Sequence, residues 1–115
     1  MDCIFCQVIS GKLPGKFAYK DEDLVVIHDI SPKAPVHLLA IPTKHVESIR
    51  HIDKEDKELM GKMMLVVNKV AKEAGLHDDG YKLLINNGEK VGQVVFHLHM
   101  HIMGGWKEKN EVINA

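Results

Sequence analysis

Phe96-His97-Leu98-His99-Met100-His101-Ile102-Met103 places a histidine at every second position from 97 to 101, each followed by an apolar residue. Successive side chains of a strand point to opposite faces. The alternation therefore predicts a strand over 94–103, with His97, His99 and His101 along one face and Phe96, Leu98, Met100 and Ile102 entering the core. Eight of the 115 residues are His. At that frequency chance produces such a triplet in only ~4% of chains of this length, which points to a function for the spacing. Two uses fit. The imidazoles can converge on one metal, for which strand His-x-His pairs are suited. Alternatively, they divide labour around a phosphate, since same-face neighbours lie about 6.6 Å apart at Cα. One ring then stands in line with phosphorus while the others orient and protonate. His99, with a histidine on either side, is the nucleophile candidate in that case.

Upstream, Asn86-Asn87-Gly88-Glu89-Lys90-Val91-Gly92-Gln93 is a polar loop with two glycines. Glycine admits positive φ and close ligand approach, and successive backbone N–H groups form anion-binding concavities. Feeding into the histidine run, this loop favours the phosphate reading.

Further strands are predicted over 17–20, 23–28, 36–41 and 81–86. The β-branched Leu24-Val25-Val26-Ile27 run is the strongest signal among them, and Pro42 stops the third. Residues 2–10 read as a short helical turn ended by Gly11 and Pro14. A long helix starts at Asp53 as N-cap, carries Glu55 and Asp56 in its first turn and ends before Gly75. On it Leu59, Met60, Met63, Met64, Val66, Val67, Val70, Ala71 and Ala74 share an arc of roughly 160°, with Leu65 outside it. So wide an arc fits either a deeply buried helix or one with a core side and a second, partner side. Gly61 within it suggests close backbone packing. Strands in succession with one inserted helix, and no β-α-β alternation, indicate an α+β fold with an antiparallel sheet.

Length allows one domain, spanning 1–115. Hydrophobic residues at 45% and charged residues at 27% are ordinary for a globule. A net charge of −1 creates no field to attract nucleic acid or an anionic membrane, so neither is expected as a partner. No apolar run reaches a membrane span, and the N-terminus lacks a signal peptide's basic and apolar regions, which points to the cytoplasm. There a Cys pair binds metal or does redox work more often than it forms a structural disulfide. Cys3 and Cys6 form a Cys-x-x-Cys that is compatible with either. The βαβ setting of a thioredoxin-like site is missing.

The ordered set Cys3-Ile-Phe-Cys6, His28-Asp-Ile-Ser-Pro32, Ala34-Pro-Val-His37, Ile41-Pro-Thr-Lys-His45, Asn86-Asn-Gly88, Gly92-Gln93 and the histidine run followed by Gly104-Gly105 resembles the histidine triad (HIT) superfamily along nearly the whole chain. The resemblance is closest to the Hint branch of purine nucleoside phosphoramidases. It implies a five-stranded antiparallel sheet with one long helix and a short N-terminal helix, joined across a homodimer into a continuous ten-stranded sheet. It also implies a purine nucleotide substrate, with AMP joined to an amine the expected class. His99 then matches the nucleophile that forms a covalent nucleotidyl-histidine, His101 the phosphate contact and proton donor, and His37 a histidine that supports them through a relay. Asp29 matches the carboxylate that accepts the ribose hydroxyls. Asn86, Gln93, Val94 and the N–H of Val95 fall at positions near the ribose and phosphate. Ile4, Phe5, Val8, Ile27, His28 and Ile30 match an apolar purine slot. In bacterial-type members Cys3, Cys6, His45 and His97 correspond to ligands of a structural zinc. No organic cofactor is implied.

Two departures stand out. Val94 replaces the Ser or Thr whose hydroxyl touches phosphate, a loss of about 0.5–1.5 kcal/mol. The tail from Trp106 onward also differs from the usual ending. A dinucleoside polyphosphate hydrolase and a nucleotide-binding interaction module with weak activity are the alternatives. His51 and His77 read as solvated surface residues.

Overall fold

A computed structural model describes residues 3–112. Five strands form one sheet: β1 (Phe17–Lys20), β2 (Leu24–His28), β3 (Val36–Pro42), β4 (Tyr81–Leu84) and β5 (Met100–Gly104). Every neighbouring pair is antiparallel, and the order is β1-β2-β3-β5-β4. Helix α1 (Ile4–Ile9) and helix α2 (Lys57–Glu73) complete the expected α+β arrangement. The expected short N-terminal turn included Asp2, which lies outside the described residues.

The β-branched run of β2 is explained by burial on both faces. Leu24 and Val26 meet α2 together with Leu38, Ala40, Met100 and Ile102 of β3 and β5. Val25 and Ile27 point the other way and pack with Leu39 and Ile41 against Phe5 and Val8 of α1. Helix α1 approaches the chain closely at Gly15, where an added Cβ would lie 2.6 Å from Val8 Cγ1. Helix α2 begins through a 3-10 turn at Lys54–Asp56. Asp53 caps it, and Asp53 and Asp56 reciprocally accept backbone N–H bonds. The helix stops before Gly75, whose φ of 79° is the positive value glycine tolerates.

Three expectations change. β5 begins at Met100, not at Val94. The chain bends over residues 95–97, the N–H of Leu98 is taken by Val46 O at 2.7 Å, and His99 bonds back to its own chain. Those bonds replace a ladder, so His97 and His99 precede the strand. Leu98 is buried as expected, but Phe96 is 46% exposed. β4 ends at Leu84 rather than at residue 86. On α2, Met63, Val66, Val67, Val70 and Ala71 are buried, while Met64 and the C-cap Ala74 are exposed and a Cβ on Gly61 would meet nothing within 4 Å. The apolar stripe is thus narrower than the arc, and the Cβ side of Gly61 faces open space among the described residues.

Candidate active site and metal centre

Helix α1 and Val95 pack on the sheet face opposite α2, and the part of that face formed by β3 and β5 carries histidine. Leu39 pairs with His101 and His37 with Met103, so His37 and His101 are diagonal neighbours on one face. Their rings bond through His37 Nε2 and His101 Nδ1 at 2.8 Å. The Lys33 N–H donates to His37 Nδ1 at 3.0 Å, which makes that nitrogen the acceptor. The neutral His37 ring therefore holds its proton on Nε2 and donates it to His101 Nδ1. His101 in turn keeps its own proton on Nε2. Asp29, whose N–H donates to His37 O, brings Oδ2 within 3.4 Å of His37 Nε2.

His99 stands beside this pair, its ring centroid 5.1 Å from that of His101. Nδ1–H donates to the carbonyl of His97 at 2.7 Å, leaving the Nε2 lone pair free. Phe5 packs edge-on at 5.0 Å and fixes the ring plane. Burial pushes the His99 and His37 pKa values down. For His101, burial and then the neighbouring His99 and His37 push it down to about 4. All three rings are thus neutral near pH 7, the state in which an imidazole is a nucleophile.

His97 belongs to a second centre. Its Nε2–H donates to Pro42 O at 2.7 Å, so Nδ1 is the free acceptor. That nitrogen lies 3.4 Å from Cys3 Sγ and 3.6 Å from Cys6 Sγ, and His45 Nδ1 lies 3.4 Å from Cys6 Sγ. All four donor atoms fall within 4.8 Å of one another. Tetrahedral zinc with Zn–S of about 2.3 Å and Zn–N of about 2.05 Å requires S···N separations of about 3.6 Å. The two-thiolate, two-imidazole set fits, and Pro42 O has already selected the ligating tautomer of His97. Cys3 is also the N-cap of α1, its Sγ accepting from the Cys6 N–H, so helix start and ligand pair are built together. Neither cysteine is in a disulfide.

The glycine loop has positive φ at Gly88 and Gly92. Gln93 lies buried within it. Its Oε1 accepts from Gly88 N, and its Nε2 donates to Glu47 O and Val95 O. The amide expected near the ribose is therefore engaged in bracing the loop. Asn86 lies against Gly92, and Asn87 Oδ1 accepts from Ile49 N. Val94 is 82% exposed, and the Val95 N–H has no protein acceptor among the described residues. Of the residues expected in a purine slot, Phe5, Val8 and Ile27 are packed in the core. Ile4 and Ile30 are exposed, and His28 is half-buried.

Several contributors were not visible in the sequence: the carbonyls of Pro42, Val46 and Glu47, the Lys33 N–H, and fully buried Ser48, whose Oγ meets His51 Nδ1 at 2.9 Å. Backbone groups leave no trace in residue identity. His51 is surface-exposed, with its Nε2 also 3.7 Å from Glu47 Oε2, and His77 is exposed. A cleft of about 610 Å³ lies away from the histidines. Its Lys44 and Lys62 are neutralised by Asp56 and by Asp21 and Asp23, so no charge remains free to hold an anion there.

Residues 2–112 match the family described as scavenger mRNA decapping enzyme C-terminal binding. The fold agrees with solved histidine triad structures. A HIT family hydrolase from Clostridium thermocellum superposes with a TM-score of 0.90 at 40% identity, covering 92% of both chains. The chain belongs to the histidine triad family. A second histidine triad structure, a HIT family hydrolase from Legionella pneumophila, has a TM-score of 0.89 at 36% identity over 92% of this chain and 95% of its own. Protein HitA of Neisseria gonorrhoeae is 50% identical over 103 residues, which is 90% of this chain and 95% of HitA. Among the described residues no helix is long and apolar enough to cross a membrane.

Proposed function

We propose that this histidine triad protein is a Hint-type hydrolase of purine nucleoside phosphoramidates, acting through a covalent nucleotidyl-histidine. The observation that carries the reading is His99. Its Nδ1 proton is tied to His97 O, its Nε2 lone pair is free, and His101 lies beside it. His99 Nε2 attacks the α-phosphorus, the P–N bond breaks, and the departing nitrogen takes a proton from His101. Water then attacks phosphorus, giving a proton back to His101, and the Nε2–P bond breaks, releasing the nucleoside monophosphate. His101 is held neutral in the free protein, and an anionic phosphate beside it favours its protonated form, so the acid is armed by the substrate. His37 receives and returns charge through the 2.8 Å contact.

Asp29 accepts the two ribose hydroxyls, and the Val95 N–H serves the phosphate. Asn86 and Gln93 shape the loop around it. Val94 offers no hydroxyl, which lowers the rate without altering the reaction. Ile4, His28 and Ile30 provide apolar surface for the purine against the packed Phe5, Val8 and Ile27. Cys3, Cys6, His45 and His97 hold one zinc ion, which when bound clamps α1 to the sheet.

The active form is a homodimer. Among the described strands β4 lies at one edge of the sheet, and Leu83 on it is exposed. Gly61, Met64 and Leu65 form an exposed stripe on α2, with Leu65 74% exposed. A second copy covering both joins the sheets into ten strands and uses the open space at Gly61.

The test is AMP release from an adenosine phosphoramidate with an amine leaving group, wild type beside His99→Ala, with diadenosine polyphosphate as comparison. Fast release by wild type and loss of several orders of magnitude in the variant support the reading. Negligible release by both, or preferential cleavage of the polyphosphate, rejects it.

A further inference from the structure

We infer that the Cys3, Cys6, His45 and His97 centre positions the nucleophile, so that metal occupancy sets the geometry of His99 and of the loop that precedes it. The inference rests on the proposed zinc site and on His99 as nucleophile. Two routes connect the centres. The first lies within one residue. His97 presents Nδ1 to the two cysteines, while its carbonyl oxygen accepts the His99 Nδ1–H at 2.7 Å. Holding the ring in the centre therefore holds the acceptor that fixes the His99 tautomer. A shift of about 1 Å in that carbonyl carries the contact beyond hydrogen-bond range. The proton is then free to move to Nε2 and occupy the attacking lone pair.

The second route starts at His45. The three residues after it form the buttress of the phosphate loop. Val46 O accepts from Leu98 N at 2.7 Å, Glu47 O accepts from Gln93 Nε2 at 2.5 Å, and Ser48 is fully buried. Ile49 N completes the tie by donating to Asn87 Oδ1 at 2.8 Å. Holding His45 in the centre therefore fixes residues that span the loop from 87 to 98. Helix α1 adds a third contact, since Phe5, between the two cysteines, stands 5.0 Å from the His99 ring.

The rest of the fold has an apolar core of its own. The larger core, between α2 and the sheet, contains none of the four donors. Cys3, Cys6 and His45 are thus positioning residues, acting on catalysis through His97 and the buttress. Toward His99 they act as a supporting shell, and groups that orient a reacting centre in this way change activity by about 10–100-fold when removed.

The experiment uses the full chain in four states: as purified, stripped by a strong chelator, stripped and reloaded with Zn²⁺, and as Cys6→Ala. Metal content, the two-dimensional amide spectrum and the ¹⁵N shifts of the His99 ring are read beside kcat and KM for the phosphoramidate. The expected result on stripping is a folded protein in which the His99 shifts change from a single Nδ1–H tautomer to an average. With it kcat falls about 10–100-fold while KM changes little. Zinc restores both in wild type and neither in Cys6→Ala. Should that variant not fold, stripping and reloading of wild type decide the question. Retention of the His99 signature and of kcat within threefold in the stripped protein overturns the inference. So does global unfolding on stripping, which makes the metal purely structural. A purified protein that takes up no zinc overturns it through the metal reading, and a fully active His99→Ala overturns it through the nucleophile reading.

Discussion

Gln93→Ala removes one side chain and three hydrogen bonds. Oε1 accepts from Gly88 N at 2.8 Å, and Nε2 donates to Glu47 O at 2.5 Å and to Val95 O at 3.1 Å. At about 0.5–1.5 kcal/mol each, the three bonds are worth roughly 1.5–4.5 kcal/mol. Gly88 and Val95 are only half-buried, so water replaces part of what is lost and the expected cost is about 2–3 kcal/mol. With ~2.1 cal/mol/K of unfolding entropy per residue, a chain of 115 residues loses about 4 °C of Tm per kcal/mol, or roughly 10 °C in all. Gln93→Glu is expected to be no better, because a carboxylate accepts from Gly88 but cannot donate to Glu47. The assay is calorimetry at fixed protein and zinc concentration, since binding equilibria also move Tm. Activity on the phosphoramidate should fall, mainly through a higher KM as the loop loosens. A drop of less than ~2 °C with unchanged KM refutes the claim that Gln93 braces this loop.

Replacing His101 by Ala should cost about 10²–10⁴ in kcat, the usual contribution of a proton donor, while nucleotide binding persists; stopped-flow turnover and AMP titration separate the two. pH supplies another test. His101 sits near 4 when folded and ~6.5 when unfolded, so the unfolded chain binds more protons between those values. Its contribution is complete above pH ~6.5 and is lost as pH falls toward 4, at up to about 1.4 kcal/mol per pH unit. Urea midpoints should decline over that window more steeply for wild type than for His101→Gln, and equal slopes contradict the assignment. Gly15→Ala forces a Cβ to 2.6 Å from Val8 Cγ1 and should destabilise by about 1–3 kcal/mol in urea unfolding.

Much of the architecture was legible because local signals agreed with burial. The Leu24–Ile27 run is apolar throughout because both faces of β2 are covered. Asp53 and Gly75 bracket the helix as their capping chemistry requires. The histidine run misled in one respect. Its period of two is that of a strand, yet only His101 lies in β5, because Val46 O captures the Leu98 N–H and bends the chain. That bend separates His97, directed to the cysteines, from His99, directed to the histidine pair. Side-chain alternation alone cannot express such a division. The clustering of Cys3, Cys6, His45 and His97 was expected through family resemblance rather than through spacing, since Cys3 and His97 are 94 positions apart. The tautomers of His37, His97 and His99 are each fixed by a backbone group, which residue identity does not reveal. Gln93, expected near the ribose, also stands as a buried brace of the loop, a role residue identity did not announce. Leu65 fell outside the helical arc and is strongly exposed, in line with that arc.

The most direct test of the account is to trap the intermediate. Wild type and His99→Ala are mixed with an adenosine phosphoramidate, quenched in base within milliseconds, and analysed by intact and peptide mass spectrometry. The account expects a nucleotidyl adduct on wild type that maps to the peptide bearing His99 and decays at the turnover rate, with none on His99→Ala. An adduct on any other residue, or AMP release at full rate with no adduct under conditions that preserve phosphohistidine, contradicts it.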